Sequence, residues 1–201
     1  MQEIFEGINK FQTRLFPYLE NRFKQLASKQ QPHTLFITCC DSRVVPSAIT
    51  LTEPGELFVC RTIGNIVPVH GSEDKSVASA IEYAVNVLEV SNIIVCGHSD
   101  CGAMKGLLHP EKLESLPDTS AWLKHAEKTR QALVNSVSVR LQGDLLTALI
   151  EANVLAQLEN LRTHPAVAAK VPNLCGLVYD IGSGSIRETQ YRNLFLEKGA
   201  A

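Results

Sequence analysis

The sequence lacks the features that mark membrane, secreted and nucleic-acid-binding proteins. Its 201 residues contain no apolar run near the roughly 18 residues that a membrane-spanning helix needs. The formal net charge is −2, so no excess of positive charge attracts nucleic-acid phosphates or anionic lipid. The first residues do not combine a basic segment with an apolar one, as a secretory signal does. We therefore expect no membrane span, no nucleic-acid partner and a cytoplasmic location, with a bacterial microcompartment or an organelle as open alternatives.

The six cysteines do not resemble a disulfide framework. Such frameworks are typical of small secreted domains, and this chain is long enough to bury a full core without them. No C-x-x-C redox motif occurs either, although Cys39 and Cys40 are adjacent. The cysteines therefore indicate thiolates used for metal binding, with redox chemistry at the adjacent pair as a weaker alternative.

Short apolar runs alternate with a helical pattern over the first hundred residues. Runs at 33–38, 56–60 and 92–96 are typical of strands, and apolar residues at 76–89 recur at helical spacing. Strands that alternate with helices predict an α/β fold with a mainly parallel sheet flanked by helices. Further elements are predicted in the second half: helices at about 118–137 and 143–163, and hairpin strands at 174–181 and 185–189 around a three-residue loop.

The chain length predicts one domain over residues 1–201, with residues 1–30 as an N-terminal helical arm. An apolar stripe at helical spacing runs along this arm. Two interpretations are about equally favoured, packing on the chain's own core or on a partner subunit. The stripe consists of Ile4, Phe5, Ile8, Phe11 and Leu15.

Three candidate metal ligands follow two of the predicted strands. Cys39 ends the first strand, and His98 and Cys101 follow the 92–96 strand with two residues between them. Ligand sites of parallel sheets form beyond the carboxyl ends of the strands, so these three side chains can meet. Two thiolates and an imidazole suit Zn²⁺, and three protein ligands leave a fourth position for water, as in catalytic zinc sites.

An acidic and a basic residue lie directly beside the first candidate ligand. Asp41 and Arg43 are two residues apart, so a turning backbone can bring the carboxylate and the guanidinium together. Arg43 would then hold Asp41 as an ionised acceptor. An ordinary surface ion pair is the alternative.

The run Cys39-Cys40-Asp41-Ser42-Arg43 and the run His98-Ser99-Asp100-Cys101 resemble the C-x-D-S-R and H-x-x-C motifs of the β-class carbonic anhydrases. Both occur in the family's order and separation, and the resemblance covers roughly residues 1–185. It is strongest to the bacterial, cyanobacterial and plant branch.

The resemblance implies an α/β subunit, Zn²⁺ on Cys39, His98 and Cys101, and reversible hydration of carbon dioxide to bicarbonate and a proton by zinc-bound hydroxide. It assigns Asp41 to accept from the zinc-bound water and Arg43 to orient Asp41. It also implies a homodimer or a higher homo-oligomer. Two thiolates offset the zinc charge more than three imidazoles do. We therefore expect the pKa of the zinc-bound water to lie above the value of about 7 of three-histidine sites, and the activity to increase at a correspondingly higher pH.

Two other functions stay open at this point. The segments 61–65, 73–76 and 175–177 differ from the common family pattern, so a catalytically silent zinc protein, with Asp41 or Cys40 as a fourth ligand, is an alternative. The second is a serine hydrolase, because residues 97–101 nearly fit the G-x-S-x-G nucleophile motif.

Overall fold

The computed structural model describes residues 1–136 and 144–189, and one sheet lies at its centre. Its strands are β1 (Thr34–Cys39), β2 (Leu57–Thr62), β3 (Asn92–His98), β4 (Asn173–Tyr179) and β5 (Ile186–Glu188). They lie in the order β2-β1-β3-β4-β5. The first four are parallel, and β5 runs antiparallel to β4. The predicted fold class is therefore confirmed.

Helices cover the connections between the strands. They are α1 (Gln2–Lys10), α2 (Phe16–Leu26), α3 (Pro46–Thr50), α4 (Ser76–Glu82), α5 (Gly102–Leu108), α6 (Pro117–Leu123), α7 (Glu127–Val134), α8 (Leu145–Arg162) and α9 (Pro165–Lys170). Wider π-helical turns at Phe11–Leu15 and Tyr83–Val87 continue α1 and α4. Within the described ranges, no helix has the length and apolar character needed to cross a membrane.

The central strands are apolar because the sheet interior is covered. Leu35 and Ile37 of β1 and Ile93 and Val95 of β3 are fully buried. A near-continuous apolar sequence is what a strand covered on both faces requires. These strands form a rigid base for the loops at their carboxyl ends.

Two strand residues without a side chain make room for helix α8 on the sheet. A Cβ atom on Gly97 of β3 would lie 2.8 Å from Val154 Cγ2, and one on Gly176 of β4 would lie 2.8 Å from Val154 Cγ1. Both distances are shorter than packed carbon atoms allow. Val154 is fully buried, so the two glycines let α8 pack on β3 and β4 at this side chain.

Several predicted boundaries differ from those observed. The predicted helix at 118–137 is divided into α6, a 3₁₀ turn and α7, because the backbone of Ala126 leaves the helical region at φ −104° and ψ 0°. The predicted hairpin is present, but its loop spans 180–185 instead of three residues. The Asp180 N–H donates to Ser185 O at 2.8 Å, which closes this longer loop. The predicted helix ends at 137 and 143 lie outside the described residues.

The N-terminal arm does not pack its apolar stripe on the core of its own chain. All five stripe residues are exposed, with relative exposures from 40% at Phe11 to 62% at Ile4 and Phe5. The arm contacts the rest of the chain near its end, where Arg22 Nε donates to Pro54 O at 3.3 Å. The own-core interpretation of the stripe is therefore wrong.

Candidate metal centre

Three ligand-type side chains converge at the carboxyl ends of β1 and β3. The Sγ atoms of Cys39 and Cys101 and a ring nitrogen of His98 lie within 4.8 Å of one another, and all three residues are buried. Cys39 and His98 are the last residues of neighbouring parallel strands, so the pairing of β1 with β3 brings them together. Within the described ranges, no other group of three such residues has this geometry.

Cys101 reaches the same point because the chain turns sharply after β3. Asp100 has φ +59°, a left-handed conformation that Asp tolerates better than most residues. The turn places Cys101 directly before α5, as its N-cap residue. The two residues between His98 and Cys101 therefore serve to reverse the chain.

His98 has the hydrogen bonding of a metal-ligating imidazole. Its side chain is fully buried, and Nδ1 lies 2.9 Å from the backbone oxygen of Ser99. A hydrogen bond donated by Nδ1 leaves the lone pair of Nε2 free. Nε2 is buried and has no hydrogen-bond partner among the described residues. Since buried polar atoms are rarely left unpaired, this nitrogen and the two thiols fit a metal ion.

The two thiols differ in their affinity for a proton. The neighbouring Cys101 thiol lowers the pKa of Cys39 well below its usual value, against the opposing effect of burial. The same contact raises the pKa of Cys101, and burial adds to that rise. Burial lowers the pKa of His98, but the Cys39 side chain, the Ser99 carbonyl and the Asp41 charge together outweigh burial, and the net shift is upward. Cys39 is therefore the more readily formed thiolate.

Asp41 and Arg43 form a two-pronged ion pair beside the three ligand-type residues. Arg43 Nε donates to Asp41 Oδ1 at 2.9 Å and Nη2 donates to Oδ2 at 2.7 Å, while the Arg43 backbone N–H also donates to Oδ1 at 2.9 Å. The side-chain hydrogen bonds from Arg43 hold the pKa of Asp41 well below its usual range. Asp41 Oδ2 lies 3.8 Å from His98 Nε2. The pair that the sequence predicted thus lies next to the unpaired nitrogen.

A second carboxylate holds the other side of Arg43. Arg43 Nη1 donates to Asp100 Oδ2 at 3.2 Å, and Lys105 Nζ pairs with Asp100 Oδ1. The hydrogen bond from Lys105, followed by that from Arg43, lowers the pKa of Asp100. Asp100 therefore connects the loop after β3 with the loop after β1.

Arg61 supports the backbone of the site, a role that the sequence did not predict, although the segment 61–65 was noted there as differing from the family pattern. This last-but-one residue of β2 donates from Nη1 to Cys39 O at 2.8 Å and from Nη2 to Val44 O at 2.5 Å. A longer contact of 3.4 Å joins Nη1 to Asp41 O. Arg61 thus fixes the backbone that carries both a candidate ligand and the acidic residue. The only signal in the sequence was its place directly after the predicted strand at 56–60.

Comparisons with known proteins agree with this geometry. A family model described as carbonic anhydrase matches residues 34–186. The carbonic anhydrase of Pseudomonas aeruginosa is 48% identical over 190 residues, which cover 92% of this chain and 86% of the relative. The solved β-carbonic anhydrase CcaA has a TM-score of 0.90 and 43% identity over 94% of this chain and 95% of its own. The chain belongs to the β-class carbonic anhydrases. A further solved structure comes from a study of two tetrameric β-carbonic anhydrases of Sordaria macrospora. It is 30% identical to this chain, with a TM-score of 0.73 over 93% of this chain and 92% of its own.

As a β-carbonic anhydrase, the protein is a zinc-dependent lyase that hydrates carbon dioxide, and the function predicted from sequence is confirmed. The rival functions find no support in the geometry. Ser99 Oγ accepts the backbone N–H of Ile181 at 2.9 Å, so it is engaged in holding the loop after β4. Cys39 is buried whereas Cys40 is exposed, so the adjacent thiols lie in different surroundings. The silent-protein alternative is not favoured either.

Proposed function

We propose that Cys39, His98 and Cys101 hold one zinc ion, and that Asp41 and Arg43 are the catalytic pair for reversible carbon dioxide hydration. The observation that carries this proposal is the buried, unpaired Nε2 of His98, in a ring that has a nitrogen within 4.8 Å of two thiols. When bound there, zinc supplies hydroxide near neutral pH by lowering the pKa of a water molecule. The remaining steps depend on the chain's own side chains.

Asp41 would orient the attacking water and accept a hydrogen bond from it. Arg43 keeps its carboxylate ionised, so both oxygens act only as acceptors. Oδ2 has further lone pairs beside its bond from Arg43, and it faces the candidate ligands at 3.8 Å from His98 Nε2. Because Arg43 engages both oxygens, it also favours a position of Asp41 beside the metal over one on it. Four protein ligands would close the site to substrate.

Stopped-flow carbon dioxide hydration tests this proposal with two matched cysteine variants. We expect Cys101→Ser to lose both zinc and activity. Cys40→Ser, one residue from Cys39 but exposed, should keep both. The wild-type rate should rise with pH, with its midpoint above about 7. Full activity and zinc in Cys101→Ser would refute the ligand set.

We also propose that the enzyme is at least a homodimer and that its N-terminal arm packs on the partner subunit. The support is the exposed apolar stripe, since an amphipathic helix gains stability only by covering its apolar face. The tetrameric relatives from Sordaria macrospora are consistent with assembly. Ile8→Glu should weaken the assembly, whereas Asn9→Glu, one position away and outside the stripe, should not. A wild-type monomer at micromolar concentration in light scattering would contradict the proposal.

A cytoplasmic location is proposed on the state of the cysteines. All six are free thiols, and free thiols persist in a reducing compartment. Cell fractionation with compartment markers tests this. Recovery of the protein with periplasmic or secreted markers would be the contrary result.

A further inference from the structure

One peptide group beside the candidate ligands has a hydrogen bond at each end. The Gly64 N–H donates to Cys39 Sγ, with 3.4 Å between nitrogen and sulfur. The carbonyl of the same peptide group belongs to Ile63, and it accepts a hydrogen bond from Trp122 Nε1 at 2.8 Å. Trp122, the Ile63–Gly64 peptide and the Cys39 sulfur therefore form one continuous chain of hydrogen bonds.

The conformation of this peptide is tightly constrained. Gly64 has φ +72°, which favours glycine, and a Cβ atom there would lie 3.0 Å from both Ala103 Cβ and Met104 Cε. The next carbonyl, Gly64 O, accepts from Asn153 Nδ2 at 3.0 Å. Packing and hydrogen bonds thus leave the Gly64 N–H aimed at the sulfur, with Trp122 as the contact at the opposite end of the peptide.

Hydrogen bonds in a chain polarise one another. A donor on a peptide carbonyl makes the N–H of that peptide a stronger donor, by about 10–30% per bond. A stronger N–H bond to a ligating thiolate draws charge away from the sulfur, and hydrogen bonding around a cysteine ligand tunes the metal. Loss of the indole N–H would also remove the bond that fixes the orientation of the peptide.

We propose that Trp122 is a positioning residue for the metal centre: through the Ile63–Gly64 peptide it limits how much charge the Cys39 thiolate gives to the metal. This inference rests on the proposed ligand role of Cys39. A metal that receives less charge from sulfur keeps more positive charge of its own. Trp122 should therefore help the enzyme to work at lower pH.

The test removes the indole N–H with as little change of shape as possible. Trp122→Phe keeps an aromatic ring. Because the chain contains a single tryptophan, its replacement with 3-benzothienylalanine during expression changes this position alone and puts sulfur where the N–H was. Both proteins are loaded with Co²⁺, and the sulfur-to-cobalt charge-transfer absorption is recorded. The zinc-loaded proteins are assayed for carbon dioxide hydration across pH.

We expect the Co²⁺ absorption of both replacements to move to longer wavelength. We also expect the pH midpoint of the zinc enzyme to rise by roughly 0.1 to 0.7 unit, as the loss of about 10–30% of a charged hydrogen bond predicts. The matched control is Thr163→Val, which removes a 2.9 Å hydrogen bond from the His70 N–H in the same connection between β2 and α4. This control has no link to Cys39 and should leave both quantities unchanged.

Each other outcome counts against the inference. An unchanged spectrum and midpoint in both replacements would reduce Trp122 to a packing residue. Equal shifts in Thr163→Val would show that any loosening of the connection has the same effect. Co²⁺ binding without thiolate absorption in the wild type would instead refute Cys39 and Cys101 as ligands, and the inference would fall with the proposed function.

Discussion

Replacing Arg61 with methionine should weaken zinc binding although every proposed ligand is kept. Arg61 holds the loop after β1 through the carbonyl oxygens of Cys39 and Val44 at 2.8 and 2.5 Å. Methionine fills similar space but donates no hydrogen bond. The loop would then have to become ordered when the metal binds, and this ordering subtracts from the binding free energy.

The size of the effect follows from the two shorter contacts. A hydrogen bond from a charged group contributes about 1.5–3 kcal/mol, so the two together hold the loop by about 3–6 kcal/mol. Cys39 and Val44 are buried, but Arg61 itself is exposed, so water that enters its place can bond to the two carbonyls and recover about half of this. The remaining 1.5–3 kcal/mol corresponds to about 10- to 100-fold in zinc affinity, since 1.4 kcal/mol is tenfold. Partners that orient metal ligands show losses of about this size.

Competition with a chromophoric chelator measures the zinc affinity of Arg61→Met. Arg22→Met is the matched control, because it removes the same charge and a 3.3 Å bond to Pro54 O at the opposite end of β2. We expect the control to bind zinc as the wild type does. Equal affinities of wild type and Arg61→Met would refute the idea that Arg61 orders the loop.

Three further predictions concern the acidic pair, the helix contact and a buried histidine. Arg43→Lys should keep its zinc but lose at least about tenfold in stopped-flow hydration rate, because lysine cannot bind both oxygens of Asp41; an unchanged rate would count against the pair. Gly97→Ala should lower the free energy of unfolding by about 1–3 kcal/mol in urea titrations. Adding Val154→Ala should recover part of this loss, because it removes the side chain that the new methyl group meets. Strictly additive losses in the double variant would contradict the close contact. Burial lowers the pKa of His164, so the unfolded chain binds the proton first and stability should fall as pH drops below about 6.5. Urea midpoints at pH 7.5 and 5.5 should differ less in His164→Gln, and an identical pH dependence in both proteins would refute this.

The sequence was sufficient to predict the residues of the candidate site because their signals are local. Cys39 and His98 end apolar runs, and the carboxyl ends of parallel strands share one edge of a sheet. Asp41 and Arg43 are close enough along the chain to pair in a single turn. The class of fold followed from the alternation of strand and helix patterns.

The groups that hold these residues in place could not be predicted, since they depend on register and packing. Arg61 contacts Cys39 across 22 residues only because β2 pairs with β1. Trp122 reaches Ile63 across 59 residues through the packing of α6 on the turn after β2. The exposed face of the N-terminal arm was equally undecided, because an apolar stripe has the same pattern whether its own core or a partner covers it.

X-ray absorption at the zinc edge of the purified enzyme tests the central claim most directly, since it counts the sulfur ligands. Ligation by Cys39, His98 and Cys101 predicts two sulfur atoms at about 2.3 Å and two nitrogen or oxygen atoms at about 2.0–2.1 Å. One of the lighter atoms is His98 and the other belongs to the fourth position. A shell with three sulfur atoms would place Cys40 on the metal, and a shell with one or none would contradict the proposed site.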